Sequence, residues 1–246
     1  GKPGVAMAIK PRVFVTVRKS RNPTRAKSPY INECFNMLGV RGSVYVHSQL
    51  QSSSGLGSSA AVTVATLSAI NDEFDIGHTR EEIAEMAFAV EKKVQNGRAS
   101  PTDTYVSTNG GMVLITGNSK RRLPPQSLHI VVGNTMVPHS TANMVELVGD
   151  LQKKHPEIAN PILDAIGAVT LSALHNINNP KELGRCMDMN NALLEALGVG
   201  HPTSSKLILA ARASGAYGAK ITGAGGGGCI IALCPRREKR DRKSVV

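Results

Sequence analysis

The chain has 246 residues, 41% of them hydrophobic, with a formal net charge of +11 and only 3% aromatic residues. That length supports one large domain or two small ones, and no uninterrupted apolar run approaches the roughly 18 residues of a bilayer span. The basic excess sits at the ends: residues 1–27 hold eight Lys or Arg and no acid, and RREKRDRK at 236–243 holds six bases against two acids. What lies between is close to neutral and contains no Trp, which argues against nucleic acid as a partner, because a phosphate-binding face needs clustered cations and stacking platforms.

Four cysteines, Cys34, Cys186, Cys229 and Cys234, form no CxxC pair, and the seven histidines show no metal-ligand spacing. A disulfide framework or a structural zinc site is therefore not expected. The first residues, GKPGVAMAIKPRV, lack the layout of a secretory signal, so the expected compartment is the cytosol and no membrane partner is expected.

In chain order, Val13 to Val17 and Val44 to His47 read as strands through their β-branched and aromatic content, with SRNPTRAKSPYIN placed in the loop region between them. Ala60 to Ile70 has little polar surface and reads as a buried helix. A second helix runs from Thr79, an N-cap with Glu82 three residues on, to Val94, with Ile83, Met86, Ala87, Val90 and Val94 on one stripe. A loop, QNGRASPTD, follows, then Gly110-Gly111 and a strand at Met112 to Ile115. The polar, basic stretch GNSKRRLPPQS at 117–127 reads as a domain boundary. Beyond it come a strand at Leu128 to Val132, helical patterns near 142–154, 161–176, 180–197 and 202–214, a strand at Ala219 to Thr222, the run GAGGGG and the apolar strand CIIALC. The expected architecture is α+β in two domains, 1–124 and 125–246.

Two glycine runs match dinucleotide-binding spacings, GLGSSA at 55–60 and GAGGGG at 223–228. The second enters a strand, so it has no helix N-terminus to receive a pyrophosphate. The first opens a helix, with Asp75 twenty positions after Gly55, but it is wrapped in serines at 52, 53, 54, 58 and 59. Hydroxyls in that number suit several phosphate oxygens and a metal better than one close pyrophosphate. No GK[ST] occurs, which excludes the Walker A loop. A glycine run before a helix can converge backbone N–H groups on an anion at the positive end of the helix dipole. A serine-capped turn and a tight hairpin are the plain alternatives for the two runs. A third element is Asp103 in SPTDTYVSTNGG, with Glu91 twelve residues earlier on the second helix. A phosphoryl-transfer site needs a base or orienting carboxylate and oxygen ligands for Mg²⁺. An N-cap aspartate and an exposed helical glutamate beside Lys92 and Lys93 are the alternatives.

With these three elements in this order, the chain resembles the GHMP kinases, the family of galactokinase, homoserine kinase, mevalonate kinase and phosphomevalonate kinase. GLGSSAA looks like the family's second motif and KITGAGGGGC at 220–229 like its third. SPTDTYVSTNGG and GNTMVPHST at 133–141 are similar to segments of the mevalonate kinase branch, in its archaeal form. The resemblance implies an N-terminal α/β domain, a ferredoxin-like C-terminal domain, and ATP-dependent phosphorylation of the primary hydroxyl of mevalonate. Another GHMP small-molecule kinase, for phosphomevalonate or homoserine, and a fragment that only binds nucleotide are the alternatives. Carried over by position, Gly55, Leu56, Gly57, Ser58, Ser59, Ala60 and Ala61 would hold the ATP phosphates, joined by Gly223, Gly225, Gly226 and Gly227. Ser59 and Glu91 would bind Mg²⁺, with Glu91 in register if Asn96 is an extra loop residue, and Asp103 would be catalytic. A homodimer is a further family expectation. The chain departs from the pattern at Gln51, where the family has proline. The family's lysine-bearing first motif would precede Gly1, and CPRREKRDRKSVV stands where a helix and closing strand are expected.

Overall fold

The computed structural model of the chain describes residues 2–23, 26–49, 55–97, 99–117, 119–138 and 140–236. Serines 52, 53 and 54, Gln51 and most of the basic C-terminal stretch lie outside these.

The first part of the fold is built around one buried helix. α2 (Ser58–Glu73) lies beside β2 (Val13–Lys19), α1 (Pro29–Leu38) and α3 (Arg80–Val94), and β2 pairs antiparallel with β3 (Gly42–Ser48). Leu67 and Ile70 of α2 have no solvent exposure and meet Val17, Cys34, Ile83, Ala87 and Val90, so each contributes roughly 2 kcal/mol by burial. Polar groups on so buried a helix need partners within it. Thr63 and Thr66 donate their hydroxyls to the carbonyls of Ser59 and Val62, which satisfies them without interrupting the core. α3 begins at the expected capping box: Glu82 N–H donates to Thr79 Oγ1 and Thr79 N–H donates to the Glu82 carboxylate at 2.7 Å.

A second, three-stranded antiparallel sheet has the order β1 (Gly4–Met7), β4 (Met112–Thr116), β5 (Ser119–Leu123). β4 is central and buried at four successive residues, which is why it reads as a continuous apolar run. α4 (Pro101–Asn109) precedes it and packs against α2 and α3.

The remainder forms a third sheet, β6 (Ile130–Asn134), β8 (Cys229–Leu233), β7 (Gly218–Ile221), with α5 (Thr141–Lys154), α6 (Pro156–His175), α7 (Pro180–Ala196) and α8 (Pro202–Ala213). One sheet face, through Ala219, Ile221, Ile230 and Ala232, packs with Val199 and Ile208. α7 runs along the outer edge of β7. Gly184 and Gly218 meet backbone to backbone there, leaving no room for a side chain at either. Asp188 and Asn191 accept the N–H groups of Ala219 and Ile221 at 2.9 and 3.0 Å, and Arg212 holds Asp188 from α8.

Four features differ from the sequence reading. SPYIN is the start of α1, with Pro29 at the first helical position behind Ser28, a signal obscured by the surrounding basic loop residues. GNSKRRL contains β5, an edge strand whose exposed charges disguised it as a linker. β1 was not expected, being four residues long. Asp103 is in the first turn of a helix and not in a loop, because Ser100 caps α4 and Pro101 starts it. In addition, α6 is by length and composition apolar enough to cross a membrane, with a mean hydropathy of 1.3, although Glu157 and Asp164 break any continuous apolar run. It lies along α7 and is pinned to the N-terminal segment by a Lys2–Asp164 ion pair and by Pro3 against Gly167.

Candidate active site

Helix α2 starts without a serine cap. Its N-cap is Gly57, in the left-handed region at φ 68°, with no side-chain cap bond. The first-turn N–H groups of Ser58, Ser59 and Ala60 therefore point at the cleft uncapped, while Ala61 N–H already bonds Gly57 C=O. Glycine is favoured here by the backbone, since the left-handed conformation strains a residue with a Cβ. The Asp103 side chain is its neighbour, 3.5 Å from where a Cβ would stand, delivered by the first turn of α4.

Glu91 reaches the same helix end from α3. It is 4% exposed and accepts a 2.7 Å hydrogen bond from the Ser59 hydroxyl. Burial pushes its carboxyl up to about 7; the Ser59 bond opposes this and the Asp103 charge adds to it. Burial also raises Asp103, whose side chain opens to the cleft while protein surrounds the rest of it. Two carboxylates and a hydroxyl offer only hard oxygen donors. That set fits Mg²⁺ held jointly with phosphate oxygens and water, and among the described residues no group of three or more His, Cys, Asp or Glu could hold a metal without such help. Asn96 sits beyond α3 at φ 52°, a left-handed non-glycine residue in the loop where an extra residue was expected.

The second glycine run connects β7 to β8 as an antiparallel pair, so it is a hairpin connection as well as a candidate phosphate loop. Gly223 abuts the first loop: a methyl group on it would come within 3.1 Å of the Gly55 carbonyl oxygen. Gly225 and Gly226 fold against Val199, whose carbonyl takes the Gly226 N–H at 2.8 Å, and Gly226 also faces the sulfur of Met144. Gly227, at φ 140°, is crowded by Val137, and Gly228 bonds the Val137 and Thr135 backbones. The GNTMVPHST segment thus supports this loop from beneath.

Two cavities meet at this point. The larger, about 1540 Å³, is lined by Tyr30, Ser58, Ser59, Gln95 and Ala224. The other, about 840 Å³, is lined by Thr108, Lys220, Thr222 and apolar residues of α6 and α7 such as Val169 and Met187. Gly55, Gly57, Thr102, Asp103 and Gly223 line both. Of the site residues expected from sequence, Gly55, Gly57, Asp103 and Gly223 line both cavities, Leu56 and Ala61 the smaller, Ser58 and Ser59 the larger; Ala60 is wholly buried, Glu91 is joined to the site through Ser59, and Gly225, Gly226 and Gly227 line neither cavity.

Sequence reading missed Tyr30 and Gln95. Tyr30 lies beside Gln95 and Ser59 on the larger cavity, and burial together with the Glu91 charge raises its pKa. Recognising Pro29 as a helix start would have placed Tyr30 on an ordered element. Lys220 was also passed over, within a motif read for its glycines.

Comparison with known proteins agrees with this geometry. The family profile "GHMP kinases N terminal domain" matches residues 25–111, and "GHMP kinases C terminal" matches 170–244. The mevalonate kinase of Archaeoglobus fulgidus is 39% identical over 249 residues, covering 95% of this chain and 85% of that protein. That of Pyrococcus abyssi is 42% identical over 216 residues, covering 85% of this chain but only 64% of the relative's length. The crystal structure of Methanococcus jannaschii mevalonate kinase superposes with a TM-score of 0.81 at 24% identity, over 96% of this chain and 84% of that one. A structure of the L. major enzyme in complex with R-mevalonate gives the same TM-score at 22% identity, over 96% and 82%. Two profiles that each contain one of the glycine loops, and a relative at 39% identity matched over 85% of its length, leave one assignment: the chain belongs to the GHMP kinase family.

Proposed function

We propose that this chain transfers the γ-phosphoryl group of ATP to the primary hydroxyl of mevalonate, giving 5-phosphomevalonate and ADP, an early reaction of isoprenoid synthesis in the cytosol. The observation that carries the reading is the meeting of the two cavities at Asp103, between Gly57 and Gly223. A nucleotide in the larger cavity would present its terminal phosphate at the same point as an alcohol in the smaller one.

The roles follow from position. Residues Gly55 to Ala61 would hold the phosphates, with the uncapped N–H groups of Ser58, Ser59 and Ala60 and the helix dipole facing them, and the segment Gly223 to Gly227, whose Gly226 N–H is taken by Val199, would close over them. Ser59 and Glu91 would hold Mg²⁺, which when bound neutralises charge developing on the phosphate oxygens. Asp103 orients the attacking hydroxyl and takes its proton; its raised pKa makes it a better base than an aspartate in bulk water. Most of the acceleration then comes from positioning two reactants at one junction. The same reading divides the chain at 124/125, supported by separate apolar clusters around Leu67 and around Ile221, and includes a homodimer as the family's habit.

The test is ADP release from ATP and Mg²⁺ on addition of mevalonate, run beside phosphomevalonate and homoserine. Release with mevalonate alone is the expected result. Release only with another of the three would replace the substrate, and release with none would overturn the reading.

A further inference from the structure

The smaller cavity contains one cation that the fold does not account for. Lys220 is the middle of β7, and the alternation of the strand puts its neighbours Ala219 and Ile221 into the apolar cluster on the other face. Its own side chain therefore leaves the sheet on the cavity side, together with that of Thr222 two residues on. Protein encloses it, and what exposure it keeps is to the cavity. Its ammonium donates to the Ile221 carbonyl at 2.6 Å, and no carboxylate among the described residues forms an ion pair with it. The acids of α7, the helix packed along β7, are engaged elsewhere: Asp188 holds Arg212 and the Ala219 N–H, and Glu195 accepts from Asn191 and Ser205; Asp103, the acid on the same cavity, forms no ion pair with it. Desolvation lowers its pKa to about 8, the mark of a charge held where the fold gives it too little compensation.

The position of Lys220 separates it from the nucleotide. It lines the smaller cavity and not the larger, whereas Asp103 lines both. Thr108, Thr222 and apolar residues such as Val169 and Met187 lie on the same walls. Two other cations there, Arg12 and Arg80, are exposed and face solvent screening. A small acid with an apolar body and a hydroxyl at its far end matches this distribution: base at the junction, cation on β7, apolar wall between.

We infer that Lys220 is the residue that receives the carboxylate of the acceptor substrate, fixing the molecule so that its hydroxyl points at Asp103. This rests on the kinase reading above and names the group within it that selects for an acid. The buried ammonium gains its missing counter-ion only when the substrate is bound, so occupancy and charge compensation coincide.

The experiment uses the 246-residue chain with Lys220→Met and Lys220→Arg, read by steady-state kinetics and by thermal midpoint. Lys220→Met should raise KM for mevalonate by about 10- to 100-fold, the range of a charge-assisted hydrogen bond, with KM for ATP unchanged, and Lys220→Arg should recover part of the loss. Without ligand, the Met variant should melt no lower than the parent, since it removes an unpaired buried charge. Mevalonate should raise the parent's midpoint, and mevalonolactone, which lacks the carboxylate, should not. An unchanged KM for mevalonate, an equal rise in KM for ATP, or an equal shift with acid and lactone would overturn the assignment. The two readings fail separately. Binding of mevalonate without ADP release removes the kinase activity and leaves Lys220 in place, whereas release undiminished in Lys220→Met removes Lys220 and leaves the kinase.

Discussion

The wall of the cleft formed by α2, α3 and α4 acts through side chains, while the wall formed by the β7–β8 connection acts through main chain. Ser59, Glu91 and Asp103 come from three helices; Ser59 and the buried Glu91 are joined by a hydrogen bond, and Asp103 is placed against Gly57 by the first turn of α4. The glycine run is one continuous segment, and its shape depends on the absence of side chains against Val199, Met144 and Val137. The first wall should therefore respond to charge, pH and metal with the fold intact. The second should respond to volume, and through stability as much as through binding.

The largest effect that would sharpen this contrast is on Asp103. Asp103→Asn should reduce turnover by about 100-fold or more while thermal stability changes little, because the amide has the same shape without the base. Activity within a few-fold of the parent would remove Asp103 from the chemistry. On the other wall, Gly225→Ala should lower stability by about 2 kcal/mol or more, since its φ of 84° disfavours a Cβ and Val199 occupies the space. A normal melting midpoint accompanied by lost nucleotide binding would erase the distinction between the walls.

Glu91 gives an intermediate effect with a definite sign. Its carboxyl is raised from an ordinary 4.5 to about 7, so the native state holds a proton that the unfolded chain has lost in that interval. The stability contributed by this group is fully present below about 4.5 and lost as pH rises through about 7, a difference of a few kcal/mol. Glu91→Gln should consequently melt higher than the parent at pH 8, with the advantage vanishing near pH 4. In the same variant the added stability from Mg²⁺ and nucleotide should shrink. A parent protein whose advantage grows with pH would contradict the buried, repelled carboxylate. The smallest effect concerns geometry: Ser100→Ala removes the cap that starts α4, accepting from Thr102 N–H, and should cost about 1 kcal/mol. Turnover should fall more than nucleotide affinity if the first turn of α4 is what aims Asp103.

The same contrast explains what could be read in the sequence. The glycine runs were legible because positive φ and close backbone approach leave few alternatives to glycine, and the capping box of α3 because Thr79 and Glu82 carry it locally. Glu91 was legible only through the family pattern, since beside Lys92 and Lys93 it has the look of a solvated helix face. Its burial depends on α2 arriving from thirty residues earlier. Tyr30 and β5 were missed for the opposite reason: their neighbours are basic and polar, and only pairing with β4 or packing beside Ser59 makes them part of an element. Lys220 has no local signature at all, because what singles it out is the lack of a counter-ion among the described residues.

The two edges of the third sheet will meet other molecules differently. On β7, helix α7 takes up the outward N–H groups of Ala219 and Ile221 with Asp188 and Asn191, so no foreign strand can be templated there. At the opposite edge, β6 pairs with β8 and with no other strand among the described residues, and Val131 is 57% and Val132 39% exposed. Of the two borders of this sheet, β6 is the one with strand-pairing groups left over among the described residues. Replacing Asp188 would free the Ala219 N–H alone, because Asn191 and the Gly184–Gly218 contact still hold α7 along β7, so the border is guarded redundantly and one substitution does not open it.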